Sequence, residues 1–302
     1  MILLKRTRCA RVAIRVALVY FTFAGASQSI QAQTEMRFRL VHDTLIVVSL
    51  IADNQGPFDF VLDTGADTTI VDPSLASKLS LPPLSRARQT TIAGVRALTV
   101  SSIATLTAGL AHVENLPVLV QDLAALHKMD PRIEGIAGQN FLSHFNYLLD
   151  YRKHLIRIEL ASEIRDAIQG DLLPIEAIEH RMMIASEAQS QDCATLRAKL
   201  RLLLDSGSNS LVLLHRASQV LNLPIVESAS EVTSGGQVGL QVGRVQLLTV
   251  GSAQFHDLAV ALPTTEPAER IGDGLLPTAL FQSLYVNNRE GFIVLNPRTK
   301  KN

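Results

Sequence analysis

The sequence predicts a mainly all-β chain, bilobal, with two related β-barrel-like lobes and short helices. Three observations predict it. The chain has 302 residues, of which 47% are hydrophobic, enough to fill the cores of two domains of ordinary size. It contains an internal repeat that runs through almost all of the chain beyond its amino terminus. Within each copy, short runs of β-branched and apolar residues end at turn-forming residues, the pattern of strands.

The repeat is read by laying Phe58–Pro82 over Leu200–Pro224 at an offset of 142 without a gap. Leu62/Leu204, Asp63/Asp205, Gly65/Gly207, Leu79/Leu221 and Pro82/Pro224 coincide, and the register holds through Gly94/Gly236, Gly109/Gly251 and Val118/Val260. That makes 17 identities over the 61 positions from 58 to 118. After a loss of three residues, Gly135-Ile136 aligns with Gly274-Leu275. The chain therefore divides into copies at 36–160 and 172–298, joined by a polar stretch at 162–171. Two copies suit two lobes rather than a solenoid, which needs more repeats.

The elements follow in order. Residues 44–52 read as a strand, Asp53-Asn54-Gln55-Gly56 as a turn, and 58–62 as the next strand. Asp72 is placed to cap a short helix over 74–79, with Pro73 at its first position. The second copy repeats that helix at 216–221, and 138–145 reads as another. Residues 147–151 and 155–160 are strands around a Lys153-His154 turn.

Composition excludes several classes. The 28 bases and 28 acids balance, whereas a nucleic-acid binder carries a basic excess. Two cysteines support neither a disulfide scaffold nor a zinc ribbon, and the eight histidines show no metal-binding spacing, so neither metal nor cofactor is expected. Gly235-Gly236-Gln237-Val238-Gly239 continues into alternating residues rather than a helix and is not a dinucleotide loop. Ser208 and Ser210 lie in no G-x-S-x-G context.

Residues 1–32 read as a signal peptide. Lys5, Arg6, Arg8, Arg11 and Arg15 precede the apolar run Val16–Ala26, and the cleavage site is expected between Ala26 and Gln33. The run has 11 residues, short of the ~20 that span a membrane. A periplasmic or secreted location follows as an expectation, with no membrane attachment after cleavage. The processed chain would hold 23 bases against 28 acids, a net charge of −5, with Cys193 as its one thiol. The short interval between this leader and the first strand predicts no latency through a long basic pro-segment.

The chemistry is concentrated in two triplets, Asp63-Thr64-Gly65 and Asp205-Ser206-Gly207, each directly after a purely apolar run. A carboxylate at the end of a buried strand is costly unless it is hydrogen-bonded or paired. The glycines permit a tight loop and close backbone approach. If the copies meet about a pseudo-two-fold axis, the two carboxyls meet on it, and at about 3 Å they hold one proton between them. Such a pair activates a water with one group and protonates a carbonyl with the other. Ser208 follows the second triplet and Ala66 the first. A hydroxyl donated to Asp205 would favour its anion, which makes Asp63 the expected proton carrier.

The stretch LDTGADTTIVD resembles the active-site loop of the retropepsin-like aspartic proteases, and Gly135–Leu142 resembles the apolar segment that packs beneath it. The duplication resembles the pepsin-like, single-chain form of that acid-protease fold. The resemblance implies that Asp63 and Asp205 are catalytic, that Thr64 and Ser206 interlock across the dyad, and that Gly94, Gly235 and Gly236 lie in β-hairpin flaps over an extended peptide or protein substrate. It implies aspartic-type endopeptidase activity in a monomer, since one chain supplies both aspartates. A catalytically silent peptide-binding module is the alternative, and the two intact aspartates favour the enzyme. Two departures stand out. Pro277 occupies the place of Gly138, and the first flap segment, 88–96, has no tyrosine.

Overall fold

In the computed structural model, residues 33–91, 94–160, 163–178, 180–190, 196–233, 236–265, 272–296 and 298–299 are described. The leader at 1–32, Gly235 and both cysteines lie outside the described residues.

The repeat in the sequence is a repeat in topology. One eight-stranded sheet takes its strands in the order Arg39–Val41, Leu45–Ala52, Gln55–Leu62, Ile133–Ala137, Thr69–Val71, Ala111–Val120, Gly94–Ala108, Ser85–Thr91. A second takes Glu176–Ile178, Arg181–Ser190, Arg197–Asp205, Gly274–Pro277, Leu211–Leu213, Ala253–Pro263, Gly236–Val250, Ile225–Thr233. The two orders correspond strand for strand. In each, the long strand, 94–108 or 236–250, pairs with its hairpin neighbours and again with the strand at 45–52 or 181–190. This double pairing curls the sheet towards a barrel, so the edges partly close on themselves.

A third sheet of six strands joins the lobes. It runs Gln33–Arg37, Leu155–Glu159, Asn146–Asp150, Ser283–Asn287, Phe292–Leu295, Leu172–Pro174, taking strands from both copies. Its centre is the antiparallel pairing of 147–150 with 283–286. Tyr147, Leu149, Leu284 and Tyr285 are fully buried there. One apolar core runs continuously from the first lobe through this sheet into the second. Among the described residues no helix is long and apolar enough to cross a membrane.

The helices show how far the repeat has diverged. The helix Pro73–Lys78 is capped by Asp72, whose carboxylate accepts from the Ser74 amide at 2.9 Å. Its counterpart, His215–Leu221, begins after Leu214, which cannot cap, and ends on Asn222 in the left-handed conformation (φ 46°). A lost side-chain cap costs about 1 kcal/mol.

Three expectations change in detail. The turn at 53–56 is narrower: Asp53 and Asn54 alone turn the chain, at φ 49° and 59°, and the strand resumes at Gln55. Asp and Asn tolerate the left-handed region that a tight hairpin demands. The helix read at 138–145 is a single turn, Gln139–Leu142. The polar join at 162–171 contains the helix Glu163–Ala167, whose Ile164 packs with Ile168, Tyr285 and Phe292. Ile164 is the buried anchor of this helix, and Ile168, the first residue of the strand that follows it, packs in the same cluster.

Candidate active site

Each triplet is delivered by a strand whose last residues are almost wholly buried: Phe60, Val61 and Leu62 before Asp63, and Leu202, Leu203 and Leu204 before Asp205. Both strands lie parallel to the apolar segment that follows the hairpins, Gln55–Leu62 beside Ile133–Ala137 and Arg197–Asp205 beside Gly274–Pro277. The parallel neighbour fixes where each strand ends. The Asp63 amide donates to the Ala137 carbonyl at 3.0 Å, and Asp205 is paired with Pro277.

The two loops face each other across a pseudo-two-fold axis. The Thr64 amide donates to Ser206 Oγ at 2.9 Å, and the Ser206 amide donates to Thr64 Oγ1 at 3.0 Å. Each hydroxyl then donates into the opposite strand: Thr64 Oγ1 to the Leu204 carbonyl at 2.8 Å, and Ser206 Oγ to the Leu62 carbonyl at 2.7 Å. All four bonds are buried and all four join one copy to the other. Threonine and serine suit this place because a hydroxyl both accepts and donates.

Asp63 and Asp205 are thereby brought into contact, with a hydrogen bond between their carboxyl groups. The glycines make that approach possible. A β-carbon on Gly65 would stand 2.6 Å from Asp205 Cγ, and one on Gly207 would stand 2.6 Å from Asp63 Oδ2. The Gly65 and Ala66 amides donate to Asp63 Oδ1 at 2.8 and 3.1 Å, and the Gly207 amide donates to Asp205 Oδ1 at 2.7 Å.

Burial raises both carboxyls above their ordinary value. Asp205 is held well above it, by burial first and then by the facing charge of Asp63. Asp63 is more open to the solvent and is drawn back down by the Gly65 and Ala66 amides and by its bond to Asp205. One proton is shared by the pair, and the larger rise at Asp205 favours that carboxyl as its holder. This reverses the sequence expectation. The reason is geometric: the Ser208 hydroxyl donates to the Ser210 carbonyl at 2.9 Å instead of to Asp205. Ser208→Ala is therefore expected to leave the pH profile of activity unchanged. A shift in either limb, measured on stable protein, would restore the hydroxyl to the dyad.

The first loop is tied down by residues that the sequence reading grouped only as a packing segment. Gln139 Nε2 donates to the Thr64 carbonyl at 2.9 Å, and Asn140 Oδ1 accepts from both the amide and the hydroxyl of Thr69 at 2.8 Å. Arg181, from the second copy, forms a two-pronged ion pair with Asp67 at 3.0 and 3.2 Å. Tandem polar residues after Gly138 were the available signal for Gln139 and Asn140. Nothing local marks Arg181.

Gly94 and Gly236 lie at equivalent hairpin ends, paired with Thr91 and Thr233. Gly235 falls outside the described residues. Asp72, Asp122 and His127 come close enough together to share a cation. Their atoms are already committed: Asp72 accepts from the Ser74 and Leu123 amides, Asp122 from Ala124, and His127 Nε2 lies 2.9 Å from the Ile133 carbonyl.

Residues 48–141 match the sequence model of a family described as aspartyl protease. The matched stretch contains Asp63-Thr64-Gly65, Gly94 and the segment through Phe141, and it ends before the second triplet. It supports aspartic protease activity in general terms. A crystal structure of a retropepsin-like aspartic protease from Rickettsia conorii is similar over 42% of this chain and 89% of that one, at 17% identity and a TM-score of 0.31. No curated protein sequence is significantly similar to the chain.

Proposed function

We propose that the chain is an aspartic-type endopeptidase that hydrolyses peptide bonds with a water held between Asp63 and Asp205. The observation that carries this is the contact of two carboxyls, one from each copy, at the junction of the lobes, both raised by burial. The pair needs neither a metal nor a nucleophilic side chain for the chemistry it offers.

The proton positions set the roles. Asp63, the more open carboxylate, takes a proton from the water as its oxygen attacks the peptide carbonyl carbon. Asp205 gives its proton to the carbonyl oxygen, and a gem-diol forms. Asp63 then passes its proton to the amide nitrogen while Asp205 takes one back from a diol hydroxyl. The C–N bond breaks, and the dyad again holds a single proton. The two hairpins at 85–108 and 225–250, equivalent in the two copies, are proposed as flaps. A substrate lying extended beneath them gains main-chain hydrogen bonds as an added strand. Since both aspartates come from one chain, the working form is proposed to be a monomer. The basic and then apolar leader supports a periplasmic or secreted location.

The deciding assay is cleavage of a denatured protein with and without a pepstatin-type inhibitor. Cleavage should follow a bell-shaped profile centred at roughly pH 4–6, because activity needs one proton on the pair and is lost when it holds two or none. Inhibition should be complete. Absence of cleavage across that range, or cleavage indifferent to the inhibitor, would refute the proposal.

A further inference from the structure

We infer that the Tyr151 hydroxyl and Thr278 form a brace, supplied by the first copy to the second, that positions Asp205; the inference rests on the aspartic protease reading. It begins with an asymmetry beneath the two triplets. Under Asp63, the segment after the apolar strand is locked to the loop. The Gln139 amide donates to the Ala66 carbonyl at 2.7 Å and the Asn140 amide to the Asp67 carbonyl at 3.1 Å. Gly138 permits this approach, since a β-carbon there would meet the Ala66 carbonyl at 2.8 Å.

Side chains and the Gly138 amide add further ties, Gln139 Nε2 to the Thr64 carbonyl, Thr69 to Asn140 Oδ1 and the Gly138 amide to Thr69 Oγ1, and the second copy lacks the residues to repeat these. Pro277, Thr278 and Ala279 stand where Gly138, Gln139 and Asn140 do, and Leu211 stands where Thr69 does. Alanine and leucine offer no side-chain hydrogen bonds, and proline offers no N–H. Pro277 is nevertheless the residue paired with Asp205, so the placement of this segment is transmitted directly to the carboxyl.

Thr278, fully buried and next to Pro277, is held from the other side. Its Oγ1 lies 2.5 Å from the Tyr151 hydroxyl. Tyr151 leaves the end of the Asn146–Asp150 strand, its amide donates to the Gln282 carbonyl at 3.0 Å, and its ring packs edge-on against Phe38 at 5.9 Å. Burial, with a contribution from the Asp205 charge, pushes the phenol up to about 12, so it remains a hydroxyl throughout any acidic working range.

The reciprocal arm supports a built arrangement. At an offset of 137, Arg152 aligns with Arg289 and Ile156 with Ile293, which sets Asn288 opposite Tyr151. Asn288 Nδ2 donates to the Phe145 carbonyl at 2.7 Å and the Leu142 carbonyl at 3.2 Å. Each copy thus sends the same position into the segment beneath the other's triplet. The asparagine closes a helix end, whereas the tyrosine grips the side chain adjoining the residue paired with Asp205. Tyr151 is on this account a positioning residue.

The test uses Tyr151→Phe, Thr278→Val and their double variant in the full chain, with amide hydrogen exchange read residue by residue. Gly207 and Ser208 should exchange about tenfold faster in each single variant and no faster still in the double, because one hydrogen bond is being removed. Gly65 and Ala66, on the opposite loop, should be unchanged. Thr278→Ser, which keeps the hydroxyl, should behave as the parent. In peptide cleavage the same variants should lower kcat about tenfold with KM unchanged, as expected for a group that orients the reacting carboxyl. Unchanged exchange at Gly207, an equal rise on both loops, or effects that add in the double variant would overturn the brace. A parent chain that cleaves no peptide overturns the protease reading instead, and the exchange contrast still decides whether the brace exists.

Discussion

Asp63→Asn and Asp205→Asn should each lower kcat by more than about a thousandfold while leaving the fold intact. Asparagine keeps the shape of the side chain and its capacity to accept from the Gly65 or Gly207 amide, but it can neither take the proton from water nor return one. The pair acts as a unit, so neither member is expected to work alone. The same variants carry a second, opposite signal in stability. The folded-state value of Asp205 is raised above its ordinary 3.8. Its contribution to stability is therefore fully present below that value and is lost as pH rises through the folded value. Asp205→Asn, neutral at every pH, should melt above the parent near neutrality, by roughly 2–4 °C for each kcal/mol relieved. The gap should close as pH falls below the unfolded carboxyl's value. Either variant retaining more than about a tenth of the activity, a loss of only ~1.4 kcal/mol in barrier, would refute the dyad.

This pairing was legible in the sequence because duplication wrote it twice. A lone Asp-Thr-Gly is compatible with an ordinary turn. Asp63 and Asp205 in register, each behind a purely apolar strand, specify a two-fold meeting of carboxyls. The strands were legible for the same reason, since each was read against its copy. What stayed hidden depends on rotamers and on contacts across the lobes. Ser208 offers a hydroxyl at a suggestive position, but its direction is chosen by competition with the local Ser210 carbonyl. Short polar side chains routinely settle such contests in favour of a nearby backbone group. Arg181 and Tyr151 act 114 and 127 residues away from their partners, on elements whose own patterns show only a strand and its end. The substitution of Pro277 for Gly138 was visible as a departure, but the residue that compensates for it lies in the other copy.

Thr64→Val should be the most destabilising of the conservative changes around the site. Valine fills the same space, so no cavity opens, but it strips the Ser206 amide of its acceptor and the Leu204 carbonyl of its donor. Both orphaned groups lie where Thr64 and Ser206 are fully buried, and water has no ready access to either. At about 1–3 kcal/mol for each stranded buried group, the loss should reach about 2–6 kcal/mol. Ser206→Ala strands the Thr64 amide and the Leu62 carbonyl by the mirror-image route and should cost a similar amount. The four bonds hold the same two loops together, so once one hydroxyl is gone the other has less to hold. The double variant should therefore lose less than the sum of the single ones. Activity should fall with stability in all three, because the network sets the distance between Asp63 and Asp205 and with it the sharing of one proton. Denaturant unfolding measures the first quantity and cleavage of a peptide under native conditions the second. A Thr64→Val chain that unfolds at the parent's midpoint would mean that the hydroxyl network does not hold the lobes together. Full stability loss with unimpaired kcat would separate the joint from the chemistry.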